Sequence, residues 1–182
     1  MDFDIYILAG GKSSRMKREK GLVQINNKSM IEHVIDANVP FQQPIHIITN
    51  SDQYAHLPYP CISDIHQEIG PLGGLHAALT HCSKKGLLLL SCDTPFVQHK
   101  FLQTIIKARD TSFQAIIPSF QNKIHPLLGW YNKTAIALVE KQISLQNYRM
   151  TDLIDKLKTK QLDCSHFPTS FFQNINCPKD LP

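Results

Sequence analysis

The stretch Ile5-Tyr6-Ile7-Leu8-Ala9-Gly10-Gly11-Lys12-Ser13-Ser14-Arg15-Met16, with Lys20 four residues further on, decides how the rest of the chain is read. Its first four residues are all apolar and β-prone, as in a strand buried on both faces. The run stops at paired glycines. Gly10 and Gly11 lack Cβ, so the backbone can turn tightly and bring its N–H groups close to an anion. Lys12, Arg15 and Lys20 then supply cations able to neutralise charge that builds up on a phosphate under attack. Gly-Gly by itself favours a plainer account, a turn followed by a solvated basic loop. Two common phosphate motifs are excluded by spacing. There is no G-x-x-x-x-G-K-[ST], and no G-x-G-x-x-G follows the strand.

Three more apolar runs repeat the pattern: Ile45 to Ile48, Leu87 to Leu90 and Ala115 to Ile117. Each is bounded by Gly, Pro, Asn or Asp, and amphipathic segments lie between them, roughly Met30 to Ala37, Leu75 to Cys82 and Phe101 to Ala108. Continuous apolar strands alternating with helices predict a mostly parallel sheet covered on both faces, in one domain spanning residues 1–182. Ligands of such sheets bind beyond the carboxyl ends of the strands. The residues there are Gly10 and its basic loop, then Thr49-Asn50, then Ser91-Cys92-Asp93-Thr94-Pro95. Asp93, directly after a buried strand, is placed to hold magnesium, which takes one or two carboxylates plus phosphate oxygens and water. In isolation, an Asp before a turn proline is equally a turn former. Further on, His125 to Tyr131 reads as a strand, Thr134 to Gln142 as a helix, and Thr151 as the cap of a last helix.

Composition narrows the class. The 182 residues are 42% hydrophobic with a formal net charge of +4, which suits a core-forming domain with an anionic ligand. Basic residues are scattered rather than clustered, so nucleic acid is not expected as a partner. The longest apolar run is too short for a bilayer, so no membrane association is expected. Five widely spaced cysteines without a C-x-x-C pair argue against disulfides or zinc. With no leader-like N-terminus, a cytoplasmic location is expected.

The string from Leu8 to Lys20 resembles L-A-G-G-x-S-x-R-M-G-x-x-K, the signature of nucleoside-triphosphate transferases, and within them the molybdenum cofactor guanylyltransferases. Cys92-Asp93-Thr94-Pro95-Phe96 is similar to the family's C-D-x-P-F, and Asp64 with Gly70-Pro71-Leu72-Gly73-Gly74 to its D-x(n)-G-P-L-A-G. Phe172 to Leu181 is similar to the terminal F-x-N-I-N-T-P-E-D-L. The resemblance spans nearly the whole chain and is weaker after about residue 110. Lys17 stands where the family has glycine, Gly73 where it has alanine (a mild change), and Cys177 where it has threonine.

What the resemblance implies is a three-layer αβα, Rossmann-like nucleotidyltransferase fold with a mostly parallel mixed sheet. It implies transfer of GMP from GTP to molybdopterin with release of pyrophosphate, using Mg2+. It assigns catalysis to Arg15, Lys20 and Asp93, with Asp93 the metal ligand. Leu8, Ala9, Gly10, Gly11, Lys20, Asn50, Asp64, Gly70, Pro71, Leu72 and Asp93 would bind the nucleotide, and Asn174 and Asn176 the acceptor. Transient hand-over of product to molybdoenzymes or their chaperones is implied too. The competing expectations are cytidylyl transfer, transfer to a sugar phosphate, and a catalytically silent nucleotide-binding protein.

Overall fold

The computed structural model describes residues 3–10, 19–66 and 68–180. The expectations for Gly11, Lys12, Arg15 and Lys17 therefore lie outside the described residues.

Alternation within the apolar strands builds two cores. On β1 (Asp4–Leu8), Ile5 and Ile7 point to one face of the sheet and Tyr6 and Leu8 to the other. On β6 (Gly86–Ser91), Leu88 and Leu90 join the first core and Leu87 and Leu89 the second. Each fully buried Leu or Ile contributes about 1.5–3 kcal/mol relative to exposure, so this doubly covered register is strongly favoured over a slipped one. The first core is closed by α1 (Met30–Asn38) and α3 (His99–Lys107), the second by α2 (Pro71–His81), α4 (Ile136–Ser144) and α5 (Met150–Lys156). The expected three-layer αβα architecture is what forms.

The remaining strands are β2 (Gln24–Ile25), β3 (Lys28–Ser29), β4 (Ile45–Ile48), β5 (Cys61–Ile62), β7 (Ala115–Phe120), β8 (Lys123–Ile124), β9 (Leu128–Asn132) and β10 (Thr159–Asp163). Among the described residues the main sheet runs β10-β7-β9-β6-β1-β4-β5, with β8 paired to β7. Pairing is parallel from β5 through β6, and β9 alone on that path is antiparallel to its neighbours. β2 and β3 form a separate hairpin whose turn residues Asn26 and Asn27 both have positive φ, as a two-residue hairpin loop requires.

Two expected elements are corrected. The strand expected from His125 begins only at Leu128, because Leu128 donates its N–H to the His125 carbonyl at 3.1 Å and closes a turn around Pro126. Thr151 is not a helix cap. α5 starts at Met150 with Arg149 at the cap position, and the Thr151 hydroxyl donates instead to Asp152. No helix among the described residues is long and apolar enough to cross a membrane.

The ends of three parallel strands meet at one place. Ala9 N–H donates to the Ile48 carbonyl at 2.9 Å, and Cys92 N–H to the Leu8 carbonyl at 3.0 Å. The chain after β1 is thereby held between Asn50 on the β4 side and Asp93 on the β6 side.

Candidate active site

A cleft of about 600 Å³ opens at these strand ends. Leu8, Gly10, Asn50, Asp64, Gly70, Pro71 and Asp93, all singled out from the sequence, line it. Among the other lining residues, Glu19 and Glu68 carry no signal in the sequence reading. Thr49 and Ser91, which extend β4 and end β6, line it where the strand-end rule put them. Leu127 arrives only through the turn around Pro126. Two nominated side chains turn away: Ala9 and Leu72 are buried in the two cores rather than on the cleft wall. Leu72, Leu75 and Leu79 follow i, i+3, i+7 spacing, the core stripe of an amphipathic helix, and that signal was legible.

Asp93 lines the cleft, and Lys20, which is not itself among the lining residues, is paired to it from behind Glu19 in sequence. The Lys20 ammonium donates to Asp93 Oδ2 at 2.8 Å and to Asn176 Oδ1 at 2.7 Å. The lysine comes from a 3-10 turn (Lys20–Leu22), the aspartate from beyond β6, and the asparagine from the C-terminal segment. The turn sits unusually close to its support. A Cβ on Gly21 would lie 2.7 Å from the Tyr54 hydroxyl oxygen and 3.3 Å from Cys92 Sγ, so only glycine fits. Tyr54 is fully buried and its hydroxyl donates to Glu19 at 3.4 Å. Burial pushes the Cys92 thiol up to about 12, so it packs and does not act as a nucleophile.

Asp93 Oδ1 is buried and, among the described residues, has no hydrogen-bond partner. A buried, charged acceptor without a donor is costly unless a cation completes it. Asp93 therefore fits a divalent metal. Among the described residues, no group of three or more His, Cys, Asp or Glu side chains is arranged to hold one. Such a site suits an ion held by one carboxylate with phosphate oxygens and water, as magnesium is, better than an all-protein cage.

The opposite wall is built around Asp64. Its N–H donates to Asn50 Oδ1 at 2.9 Å, and its own Oδ1 accepts from the His66 N–H at 2.9 Å. Burial raises the Asp64 carboxyl above the ordinary carboxylate range, with the His66 N–H partly opposing this. The carboxylate lies over the first turn of α2, where a Cβ on Gly73 would stand 2.7 Å from Asp64 Oδ2 and 2.7 Å from the His66 carbonyl. The glycine at this position is thus not a mild exchange for alanine, since a methyl and this seating of Asp64 exclude each other. Gly70, with φ of 71°, turns the chain into Pro71 at the start of α2, whose positive dipole end lies on the cleft.

At the third edge, Ile175 N–H donates to the Asp93 carbonyl at 2.9 Å, which places Asn176 over Lys20. Asn174, nominated with it, is exposed on the same segment.

The cleft thus combines a strand-end aspartate with an open oxygen, a lysine beside it, and a carboxylate-bearing wall at a helix start. Comparison with known proteins identifies the family. The profile of the MobA-like NTP transferase domain matches residues 5–161. A relative from Flavobacterium johnsoniae, described as a probable molybdenum cofactor guanylyltransferase, is 37% identical over 176 residues, covering 97% of this chain and 93% of the relative. The molybdenum cofactor guanylyltransferase of Vibrio cholerae is 29% identical over 178 residues, covering 96% and 87%. Among solved structures, molybdopterin-guanine dinucleotide biosynthesis protein A from Archaeoglobus fulgidus superposes with a TM-score of 0.82 at 25% identity, covering 98% of this chain and 94% of that one. Fold, cleft and sequence together place the chain in the MobA-like NTP transferase family.

Proposed function

We propose that this chain transfers GMP from GTP to molybdopterin, releasing pyrophosphate and forming the guanine dinucleotide form of the molybdenum cofactor. The observation that carries the reading is the Lys20–Asp93 pair at the end of β6 with Asp93 Oδ1 left open. The names of the relatives from Flavobacterium johnsoniae and Vibrio cholerae support the same substrates.

The acceptor is a phosphate monoester, carrying about −1.5 to −2 charge near neutral pH, so it is a nucleophile without help from a base. Its oxygen attacks the α-phosphorus of GTP, the bond from that phosphorus to the bridging oxygen breaks, and pyrophosphate leaves with the electron pair. Catalysis is then alignment and charge stabilisation. Lys20 holds the phosphates against the cleft floor, with Arg15 from the glycine-rich loop as its partner. Asn50 and the backbone at Gly70 and Pro71 flank the base. Guanine presents two adjacent N–H donors on its Watson–Crick edge, which suit a carboxylate, and Asp64 takes them. Asn176 and Asn174 face the acceptor.

Nucleotidyltransferases of this family work with a divalent metal. We assign magnesium, held by Asp93 Oδ1, where it supplies charge neutralisation to the phosphate oxygens when bound. All five cysteines are unpaired, which suits a reducing cytoplasm. The product is passed on by transient contact with a molybdoenzyme or its chaperone.

The test is pyrophosphate release with magnesium and each of GTP, CTP, ATP and UTP, with and without molybdopterin. Release that needs both GTP and molybdopterin is the expected result. Release with CTP instead would move the assignment to cytidylyl transfer. Binding of nucleotide with no release would mark a silent binder.

A further inference from the structure

The C-terminal segment closes on itself just beyond the cleft. The Asp180 carboxylate accepts the N–H of Asn176 at 2.7 Å and the N–H of Cys177 at 2.9 Å. Asp180 N–H returns a bond to the Cys177 carbonyl at 3.0 Å. On the other side of Asn176, Ile175 is fully buried in a small core with Val23, Ile25 and Met30, and its N–H is tied to the Asp93 carbonyl. Asn176 is therefore pinned from both directions, by a buried side chain before it and a carboxylate-closed turn after it. Its side-chain oxygen is the second acceptor of the Lys20 ammonium.

An ammonium has three N–H donors. Two are directed here, one to Asp93 and one to Asn176, so the third has a fixed direction. Without the second anchor, Lys20 would be a flexible four-carbon stem pivoting on one ion pair. Among the described residues Asp180 makes no hydrogen bond or ion pair with Lys20 or Asp93, and it acts on Lys20 directly only through its charge. We propose that Asp180 is a positioning residue, which, by closing the turn that holds Asn176, fixes the direction of the Lys20 ammonium and makes the C-terminal segment a working part of the active site. Only the kinetic half of the test rests on the transfer reaction proposed above; the other half needs no activity.

The first readout is the reactivity of the Lys20 amine in the free protein under trace reductive methylation. Cleavage after Glu19 and Glu32 leaves Lys20 and Lys28 in one peptide, so Lys28 serves as the internal reference in tandem mass spectrometry. Asp180→Ala is expected to raise Lys20 labelling relative to Lys28 several-fold. Asp180→Asn, whose carbonyl oxygen can still accept both N–H groups but without the charge, is expected to fall between Asp180→Ala and wild type. The second readout is steady-state kinetics. Asp180→Ala should lower kcat at least ten-fold with the KM for GTP changed by less than about three-fold, since alignment at the α-phosphate is lost rather than nucleotide binding. The melting temperature should stay near that of wild type, because the turn is at the surface.

Unchanged Lys20 labelling in Asp180→Ala would overturn the inference whatever the kinetics. So would a fall in kcat accompanied by a matching loss of melting temperature, with no ordering of Ala below Asn. A wild-type protein that releases no pyrophosphate would defeat the proposed function and leave the labelling result to judge the role of Asp180.

Discussion

Replacing Gly21 with alanine tests the packing beneath Lys20, the lysine proposed to hold the phosphates. The new methyl would lie 2.7 Å from the Tyr54 hydroxyl oxygen, 3.2 Å from Tyr54 Cε1 and 3.3 Å from Cys92 Sγ, all inside the roughly 3.5–4.0 Å at which carbon contacts are attractive. Tyr54 cannot swing away, because it is fully buried against the first core. The residue that yields is the 3-10 turn, and it carries Lys20. Overpacking of this kind costs about 1–3 kcal/mol, and lifting the lysine by about 1 Å costs on the order of 100-fold in turnover. Urea unfolding reads the first and pyrophosphate release the second. Tyr54→Phe provides the control, since it removes the nearest atom at the cost of a long 3.4 Å bond to Glu19 and of the hydroxyl's bond with the Gly21 backbone, each worth about 1 kcal/mol. Combined with Gly21→Ala it should restore about half or more of both losses. A Gly21→Ala protein as stable and active as wild type, or a double variant no better than the single one, would refute the argument.

Three further outcomes are expected. Gly73→Ala should raise the Kd for GTP at least ten-fold, because a methyl at 2.7 Å from both Asp64 Oδ2 and the unyielding His66 carbonyl drives the carboxylate off the cleft wall; a fluorescent GTP analogue measures it, and unchanged affinity would remove Asp64 from the base site. Lys133→Met should cost about 1–2 kcal/mol, a few degrees in Tm, with kcat unaffected, since the ammonium caps α2 by donating to the carbonyls of Leu79, Thr80 and Cys82 far from the cleft. His125, in ring contact with Phe172, is held neutral by burial and then by the charge of Lys123, its pKa falling from the ordinary 6.5 to about 4. The unfolded chain therefore binds more protons between those values, and stability falls as pH drops through that window. In His125→Gln the urea midpoint should change less between pH 7 and pH 5 than in wild type, and parallel pH curves for the two proteins would contradict this.

The fold was legible where strands are buried on both faces, and became illegible where they are short or half wet. β1, β4, β6 and β7 announce themselves as apolar runs because, apart from His46 and Ser119, their residues are buried. β10, Thr159-Lys160-Gln161-Leu162-Asp163, lies at the sheet edge and carries polar residues there, so neither a continuous run nor a clean alternation marks it. β5 and β8 have two residues each, below any period. The cleft followed a similar division. Gly10, Asn50 and Asp93 come together because each stands two residues past the end of a parallel strand, and parallel register fixes that meeting before any side chain is considered. The contacts that tune the site had no such rule behind them. Gly21 against Tyr54, Gly73 against Asp64, and Asn176 on Lys20 join residues up to 156 positions apart, and each depends on a distance of a few tenths of an ångström. A family motif records that a glycine or asparagine stands at such a place, whereas the contact supplies the reason. The two can part company, as at position 73, where the motif has alanine and the geometry admits only glycine once Asp64 is seated as it is. In the proposed base site, nucleotide specificity should therefore be sought in Asp64 and Gly73 together rather than in either alone.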